Sequence, residues 1–232
     1  MILKFFQKIG GCFLSIFFIY NSFQVSAQKH ELGFGLGASN YTGEIVQLID
    51  IRNFRPAGQV YFRLNFNKAI CLKFATSLGI LTASDSKYNN AMADYRKASF
   101  STLYQDVNVM IEYNFLDFAY TEKSNGKHFS PYITAGLGLL NYKSTISNAD
   151  YKVNSIAQPT IPFGGGFKYR TNAHWIINFQ FVANKTFTDA IDGIYNKPGY
   201  TKSITNTHNK DWYYYAGISV GYVFWKVVCP RK

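Results

Sequence analysis

Beyond its first 27 residues, the sequence has no apolar run that approaches the roughly 20 residues of a membrane-spanning helix. Coiled-coil heptads are also missing. Charged residues make up only 16% of the 232 residues, and the mean hydropathy of −0.10 is far below that of a helical membrane protein. Three cysteines are too few for a disulfide framework. The sequence therefore excludes a helical membrane protein, a long coiled coil and a disulfide-stapled domain.

Aromatic residues are abundant instead, at 18% of the chain. An apolar surface without a long apolar run arises when only every second residue faces lipid, as in the strands of a membrane β-barrel. About eight segments show this alternation, separated by polar breaks that contain Gly and Asn. We predict strands over residues 30–41, 57–66, 70–81, 103–115, 132–142, 161–170, 175–184 and 212–225.

The polar face of these segments combines glycines with charged residues, whereas the other face is Phe, Leu, Ile and Val. Burying ionised side chains in lipid costs several kcal/mol each. Eight strands enclose an interior that side chains just fill. The sequence therefore predicts an all-β fold, an eight-stranded antiparallel up-and-down transmembrane β-barrel; a soluble sandwich or lipocalin-like barrel is the alternative. We predict a structural charge network in the lumen, rather than a transport path, formed by Arg63, Lys73, Glu112, Lys168 and Arg170.

The breaks between segments alternate in length. Those at 67–69 and 171–174 are tight, whereas those near 42–56, 82–102, 143–160 and 185–211 are long. Outer-membrane barrels have short periplasmic turns and long external loops. This pattern predicts that both mature termini are periplasmic. The 116–131 segment is a charged periplasmic turn of moderate length, which is either length variation or a partner contact.

Residues 1–27 read as a cleaved secretory signal peptide, with Lys4 and Lys8 before an apolar stretch and Val25-Ser26-Ala27 at the cleavage site. A membrane anchor and a lipoprotein signal at Cys12 are weaker alternatives. The mature chain, 28–232, is then a barrel of the cell outer membrane with a short periplasmic C-terminal tail. Its basic character, from a formal net charge of +11 in the full chain, suits lipid phosphates or an acidic partner. Export argues against nucleic acid.

A series of short motifs occupies residues 31–37, 40–44, 55–57, 112–115, 130–132, 135–138, 162–168 and 186–192. In their order and spacing these motifs resemble the PorG-type outer-membrane barrels of the type IX secretion system. The seventh loop departs from the pattern at Ala190 and Gly193. The resemblance implies a non-enzymatic component that associates with the periplasmic ring subunits, a lipoprotein and its partner. The 116–131 turn and the 226–232 tail would then carry the contact residues Asp117, Glu122, Lys123, Lys127, Lys226, Arg231 and Lys232.

Signals for chemistry are weak. His30, His128 and His174 fall at strand edges or turns, where a solvated imidazole is the simplest interpretation. His208 shares the seventh loop with Asp189, Asp192 and Asp211, but neither a catalytic motif nor calcium-ligand spacing is present.

We therefore predict no catalytic, cofactor or metal site and no small-molecule substrate. The alternatives are a general OmpX/OmpA-like surface barrel for adhesion or envelope stability, and a barrel enzyme that hydrolyses lipid or peptide. Pairing of Cys71 with Cys229 stays open, because their strands are not neighbours.

Overall fold

The computed structural model describes residues 29–42, 51–84, 99–118, 126–147, 152–172, 174–187 and 211–224. The predicted signal peptide and the 226–232 tail lie outside these ranges, so both stay predictions. No helix in the described residues is long and apolar enough to cross a membrane.

Eight long strands make up almost all of the described chain. They are β1 (Lys29–Thr42), β2 (Arg55–Asn65), β3 (Ile70–Ser84), β4 (Ser99–Asn114), β5 (Phe129–Ser147), β6 (Lys152–Arg170), β7 (Trp175–Thr186) and β8 (Trp212–Phe224). A single turn of 3-10 helix, Ile51–Asn53, precedes β2.

Each strand pairs antiparallel with the next, and the sheet closes on itself. The closing seam joins β1 to β8, with Leu32 opposite Tyr222 and Asn40 opposite Tyr214. Closure gives every strand a partner on both sides, which removes the unpaired sheet edges that hydrocarbon cannot satisfy. The predicted eight-stranded antiparallel up-and-down barrel is therefore confirmed.

Side chains alternate between the two faces as the sequence predicts, and the apolar face is the exposed one. In β4, Val107 and Ile111 are exposed to the outside, whereas Asp106 and Glu112 are buried in the lumen. All eight strands expose apolar side chains and bury polar ones, which is the reverse of the core of a soluble protein. An apolar exterior around a polar interior is the arrangement of outer-membrane barrels, not of a soluble sandwich.

The predicted long break at 143–160 is wrong. Strands β5 and β6 continue as a paired hairpin as far as Thr145 opposite Lys152. Apolar alternation ends near Leu139, but backbone pairing needs no apolar side chains, so polar strands extend beyond the apolar band. A bulge between Leu140 and Tyr142 interrupts the pairing, and the Ala157 amide donates to Asn141 Oδ1 at 2.8 Å.

Glycines in the lumen make room for large aromatic side chains. A Cβ at Gly33 would overlap the Tyr61 ring, and one at Gly221 would lie 2.5 Å from the Tyr61 hydroxyl. Tyr61 is 1% exposed and occupies the interior beside the charged residues. Glycines opposite a tyrosine thus let an eight-stranded barrel accommodate a bulky, polar filling.

Because the apolar face points outward, a charge placed on that face should destabilise the barrel most at the depth of the bilayer midplane. Val109, 42% exposed, lies at the centre of the apolar outward positions of β4, which run from Leu103 to Tyr113. We expect Val109→Arg to lower the free energy of unfolding in lipid vesicles by about 2–4 kcal/mol, because the guanidinium would lie near the bilayer midplane.

The matched control is Ser101→Arg, on the same face of β4 but beyond its last apolar position, Leu103. We expect it to cost about 0–1 kcal/mol. Equal effects in urea titrations of the two variants would show that this face does not contact hydrocarbon.

Candidate functional site

The lumen contains a buried ionic network centred on Glu112 of β4. Its Oε2 lies 2.9 Å from Arg63 Nε and 2.6 Å from Lys168 Nζ, and its Oε1 lies 3.9 Å from Lys73 Nζ. Arg63 comes from β2, Lys73 from β3 and Lys168 from β6. One carboxylate therefore joins cations from three other strands in the half of the barrel nearest the tight turns.

Glu31 of β1 supplies a second carboxylate that the sequence analysis did not include. Its Oε1 accepts from Arg63 Nη1 at 2.5 Å and from the Tyr61 hydroxyl at 2.7 Å. The signal was present in the sequence: Glu31 shares parity with Gly33 and Gly35, so it lies on the polar face. Arg63 is thus held between two carboxylates, and both are fully buried.

Three cations face two carboxylates in this network, and further polar groups stabilise the lysines. Lys168 Nζ donates to Asn114 Oδ1 at 2.9 Å and lies 4.7 Å from the centroid of the Tyr132 ring. Lys73 Nζ lies 4.7 Å from the centroid of the Tyr61 ring. Aromatic faces attract cations more strongly where water is excluded. The tyrosine rings therefore help to compensate the excess positive charge.

A chain of hydrogen bonds crosses the lumen directly beside the network. Lys73 Nζ donates to Gln180 Oε1 at 2.5 Å, and Gln180 Nε2 donates to Gln59 Oε1 at 2.8 Å. Gln59 Nε2 then donates to Ser77 Oγ at 3.1 Å. Because β3 and β7 lie on opposite sides of an eight-stranded barrel, this chain spans the full width of the interior.

Arg170 was predicted to join the network, but the structure places it elsewhere. It is the last residue of β6, and its Nη2 lies 3.0 Å from His128 Nε2. Its backbone amide also donates to the His128 carbonyl at 2.7 Å. Arg170 therefore belongs to the rim at the tight-turn end, one inward position beyond Lys168, where it helps to fix the segment before β5.

The half of the lumen nearest the long loops is built from tyrosines and carboxylates. Asp106 Oδ2 accepts from the Tyr213 hydroxyl at 2.9 Å, and its Oδ1 accepts from the Ser77 amide at 3.0 Å. Asp211 Oδ1 accepts from the Tyr41 hydroxyl at 2.6 Å. Both aspartates are buried. In this half, tyrosine hydroxyls and a backbone amide donate hydrogen bonds to the carboxylates.

The turn between β4 and β5 is described only in part. Asp117 and Lys127 are exposed, and the Lys127 amide donates to the Asp117 carbonyl at 2.6 Å. Phe118 beside them is fully buried. The other predicted partner-contact residues, Glu122, Lys123, Lys226, Arg231 and Lys232, lie outside the described residues.

The remaining candidates for chemistry are placed as follows. His30 stacks on Phe62 with ring centroids 5.8 Å apart, and His174 stacks on Tyr222 at 5.2 Å. Asp189, Asp192, His208 and Cys229 lie outside the described residues. Cys71 is buried, with its Sγ 3.7 Å from Lys168 Nζ. Among the described side chains, no group of three or more His, Cys, Asp or Glu converges as a metal site.

Comparisons with known proteins match the chain to one family model and to several solved barrels. Residues 11–230 match a family described as a domain of unknown function (DUF6089). No curated protein matches the chain in sequence.

Similar solved structures include Ail, the attachment invasion locus protein of Yersinia pestis (10% identity, 85% of this chain and 99% of that chain, TM-score 0.49). The N-terminal β-barrel domain of Pseudomonas aeruginosa OprF (13%, 85% and 98%, 0.47) and Neisserial surface protein A (12%, 84% and 97%, 0.48) are others. At these values no functional argument follows, and the fold assignment rests on the strand pairing itself.

The network predicts that the stability of the barrel depends more on one of its two carboxylates than on the other. We expect Glu112→Gln to lower the free energy of unfolding by about 3–5 kcal/mol, because removing one partner leaves buried charges uncompensated. Glu112 contacts three cations, whereas Glu31 contacts Arg63 alone among the described cations. Glu31→Gln is therefore the matched control, with a smaller expected loss in urea titrations of the folded barrel. The reverse order would contradict a network centred on Glu112.

Proposed function

The chain belongs to the DUF6089 family, and we propose that it acts in the outer membrane as a non-catalytic scaffold barrel with a closed lumen. In this proposal its rims hold partner proteins, and nothing passes through its interior. The observation that carries it is the layer of side chains across the lumen. A barrel whose lumen is filled by paired side chains offers no passage through its interior, so partner proteins would bind at its two rims.

The lumen geometry favours a closed barrel over a channel. Lys73 reaches Gln180 from the opposite wall, and Gln180 continues to Gln59. Beside this chain, Glu112 ties β2, β3 and β6 to β4. An ion or solute would have to break several charge-assisted hydrogen bonds to pass, and each is stronger than a neutral hydrogen bond.

The same contacts favour a scaffold over an enzyme. Each buried carboxylate of the described lumen is engaged, Glu31 and Glu112 by cations and Asp106 and Asp211 by tyrosine hydroxyls. A general base or nucleophile must instead be accessible to a substrate. A catalytic role for Asp189, Asp192 and His208 remains the alternative, and their replacement by alanine with loss of a hydrolytic activity would establish it.

For the partner, we propose the periplasmic ring subunits of a type IX secretion machine, as the PorG-type resemblance implies. The contact surface would be the 116–131 turn together with the 226–232 tail. The described part of the turn suits this role because Asp117 and Lys127 are exposed side by side. Their backbones are hydrogen bonded, and Phe118 anchors the turn. Export by the signal peptide and periplasmic termini belong to the same proposal.

One structural feature favours the second candidate, a surface barrel for adhesion or envelope stability. The β5–β6 hairpin extends beyond the apolar band while keeping its backbone pairing, with Lys143 opposite Asn154 and Thr145 opposite Lys152. A paired hairpin presents a defined surface to the exterior at lower entropic cost than an unstructured loop of equal length. This feature would have no use in a purely periplasmic tether.

The partner proposal predicts that charge reversal at the periplasmic turn lowers the recovery of ring subunits. The variant is Asp117→Lys with Lys127→Glu, which preserves net charge but inverts its pattern. The measurement is affinity purification from detergent-solubilised outer membranes, followed by quantification of the periplasmic subunits. Loss of attractive pairs at an interface weakens binding, because like charges oppose each other.

Lys143→Glu on the external hairpin is the control, and it should leave recovery unchanged. Secretion that persists after deletion of the gene, with no ring subunit recovered by the unmodified protein, would exclude the secretion role. Loss of adhesion or envelope integrity after shortening of the hairpin would then support the second candidate.

The closed lumen predicts the absence of steady conductance. We expect the folded protein to give no ohmic current in planar lipid bilayers, because the side-chain layer fills the interior. Gln180→Ala combined with Lys73→Ala removes the chain that spans the lumen and should raise the frequency of transient openings. Steady currents from the unmodified protein would contradict a closed scaffold.

A further inference from the structure

Among the strand residues whose side chains are described, two lysines break the apolar pattern on the outward face. Lys143 of β5 and Lys185 of β7 are exposed at outward positions near the long-loop end. The outward positions of the described strands carry no acidic residue. Because a charge among lipid tails is costly, a lysine on this face marks the level where lipid headgroups begin.

Lys185 lies at the end of an aromatic patch, which is formed by Phe163 of β6 and Trp212 of β8. Phe163 of β6 and Trp212 of β8 have ring centroids 5.7 Å apart, although β7 runs between their strands. Their rings must therefore meet over β7. Ala183 of β7 pairs with Phe163 on one side and with Tyr214 on the other. It is only 6% exposed despite its lipid-facing position, so the rings cover it.

The ammonium group of Lys185 is held against this patch. Its Nζ lies 5.5 Å from the centroid of the Trp212 ring, and Lys185 pairs directly with Trp212 in the sheet. Towards the membrane interior, Phe181 stacks on Tyr214 with centroids 5.9 Å apart. The order along β7 is thus aromatic, small and cationic, from the lipid tails towards the exterior.

We propose that Ala183, Lys185, Phe163 and Trp212 form a binding site for the phosphate group of an anionic lipid in the external leaflet. Lys185 pairs with the phosphate, and the rings of Phe163 and Trp212 below it pack against the first part of an acyl chain. Trp is suited to this level because its ring is apolar and its indole N–H is a hydrogen-bond donor.

The charge environment supports an anionic ligand. Asp211 is adjacent to Trp212 in sequence, but its side chain is buried in the lumen and accepts from Tyr41. The described outer face therefore gives Lys185 no carboxylate partner of its own. A lipid phosphate provides the missing counter-charge at a level of the membrane where one is always present.

The test titrates phosphorylated lipid A onto the purified, folded barrel in detergent and counts bound lipid by native mass spectrometry. Lys185→Gln removes the charge and should weaken retention roughly tenfold, the factor expected for one charge-assisted hydrogen bond. Lys185→Arg keeps the charge and should retain lipid A as the unmodified protein does.

A second variant tests the aromatic patch without changing the charge. Ala183→Leu places a larger side chain beneath the rings of Phe163 and Trp212 and should weaken retention while Lys185 is intact. Lys127→Gln, an exposed lysine at the opposite end of the barrel, is the control and should have no effect. If Ala183→Leu fails to fold, the comparison of Lys185→Gln with Lys185→Arg still decides the proposal.

Two further arms distinguish the source of the phosphate. Dephosphorylated lipid A should bind as weakly to the unmodified protein as lipid A binds to Lys185→Gln. Millimolar inorganic phosphate should not displace bound lipid A. Equal retention of both lipids, full displacement by inorganic phosphate, or unchanged binding by Lys185→Gln would each overturn the site. Because no partner protein is present, a failure here leaves the scaffold proposal untouched.

Discussion

The structure depends on one constraint: hydrocarbon outside the wall cannot solvate any polar group, so all polarity must be satisfied within the wall or inside it. Sheet closure between β1 and β8 satisfies the backbone. The ionised side chains then have only the lumen available, and eight strands make that lumen narrow. The consequence is a filled interior in which charges must neutralise one another at short range.

Glu112 shows how this neutralisation is achieved with few acids. Its two oxygens serve Arg63, Lys73 and Lys168, which come from three different strands. Since an unpaired buried charge costs more than a paired one contributes, the loss of any one partner would cost more than the intact network adds to stability. The tyrosine rings and amide side chains around the network supply further hydrogen-bond partners and cation contacts, so the interior is filled from wall to wall.

The parts of this fold that follow from alternation could be predicted from the sequence. The alternation of apolar and polar residues in β4 predicted the membrane-spanning part of this strand. It also predicted that the Glu112 side chain points into the lumen. The outer part of the β5–β6 hairpin was missed because the regular apolar alternation of β5 ends near Leu139, whereas the backbone pairing continues as far as Thr145 opposite Lys152. Arg170 was misplaced for another reason: parity gives the face of a residue but not its depth, and Arg170 lies at the rim beside His128.

Parity also separates the inward lysines that serve the fold from Lys143 and Lys185, which face outward, and the aromatic contact then distinguishes Lys185. Lys73 and Lys168 have inward parity, and acidic and amide side chains of the barrel itself compensate them. Lys185 has outward parity, and an aromatic patch holds it at the edge of the apolar band. The same physical cost of an unpaired ammonium applies in both places. Inside, the protein provides the counter-charge; the outward positions of the described strands carry no acidic residue, which is why we assign a lipid phosphate to Lys185.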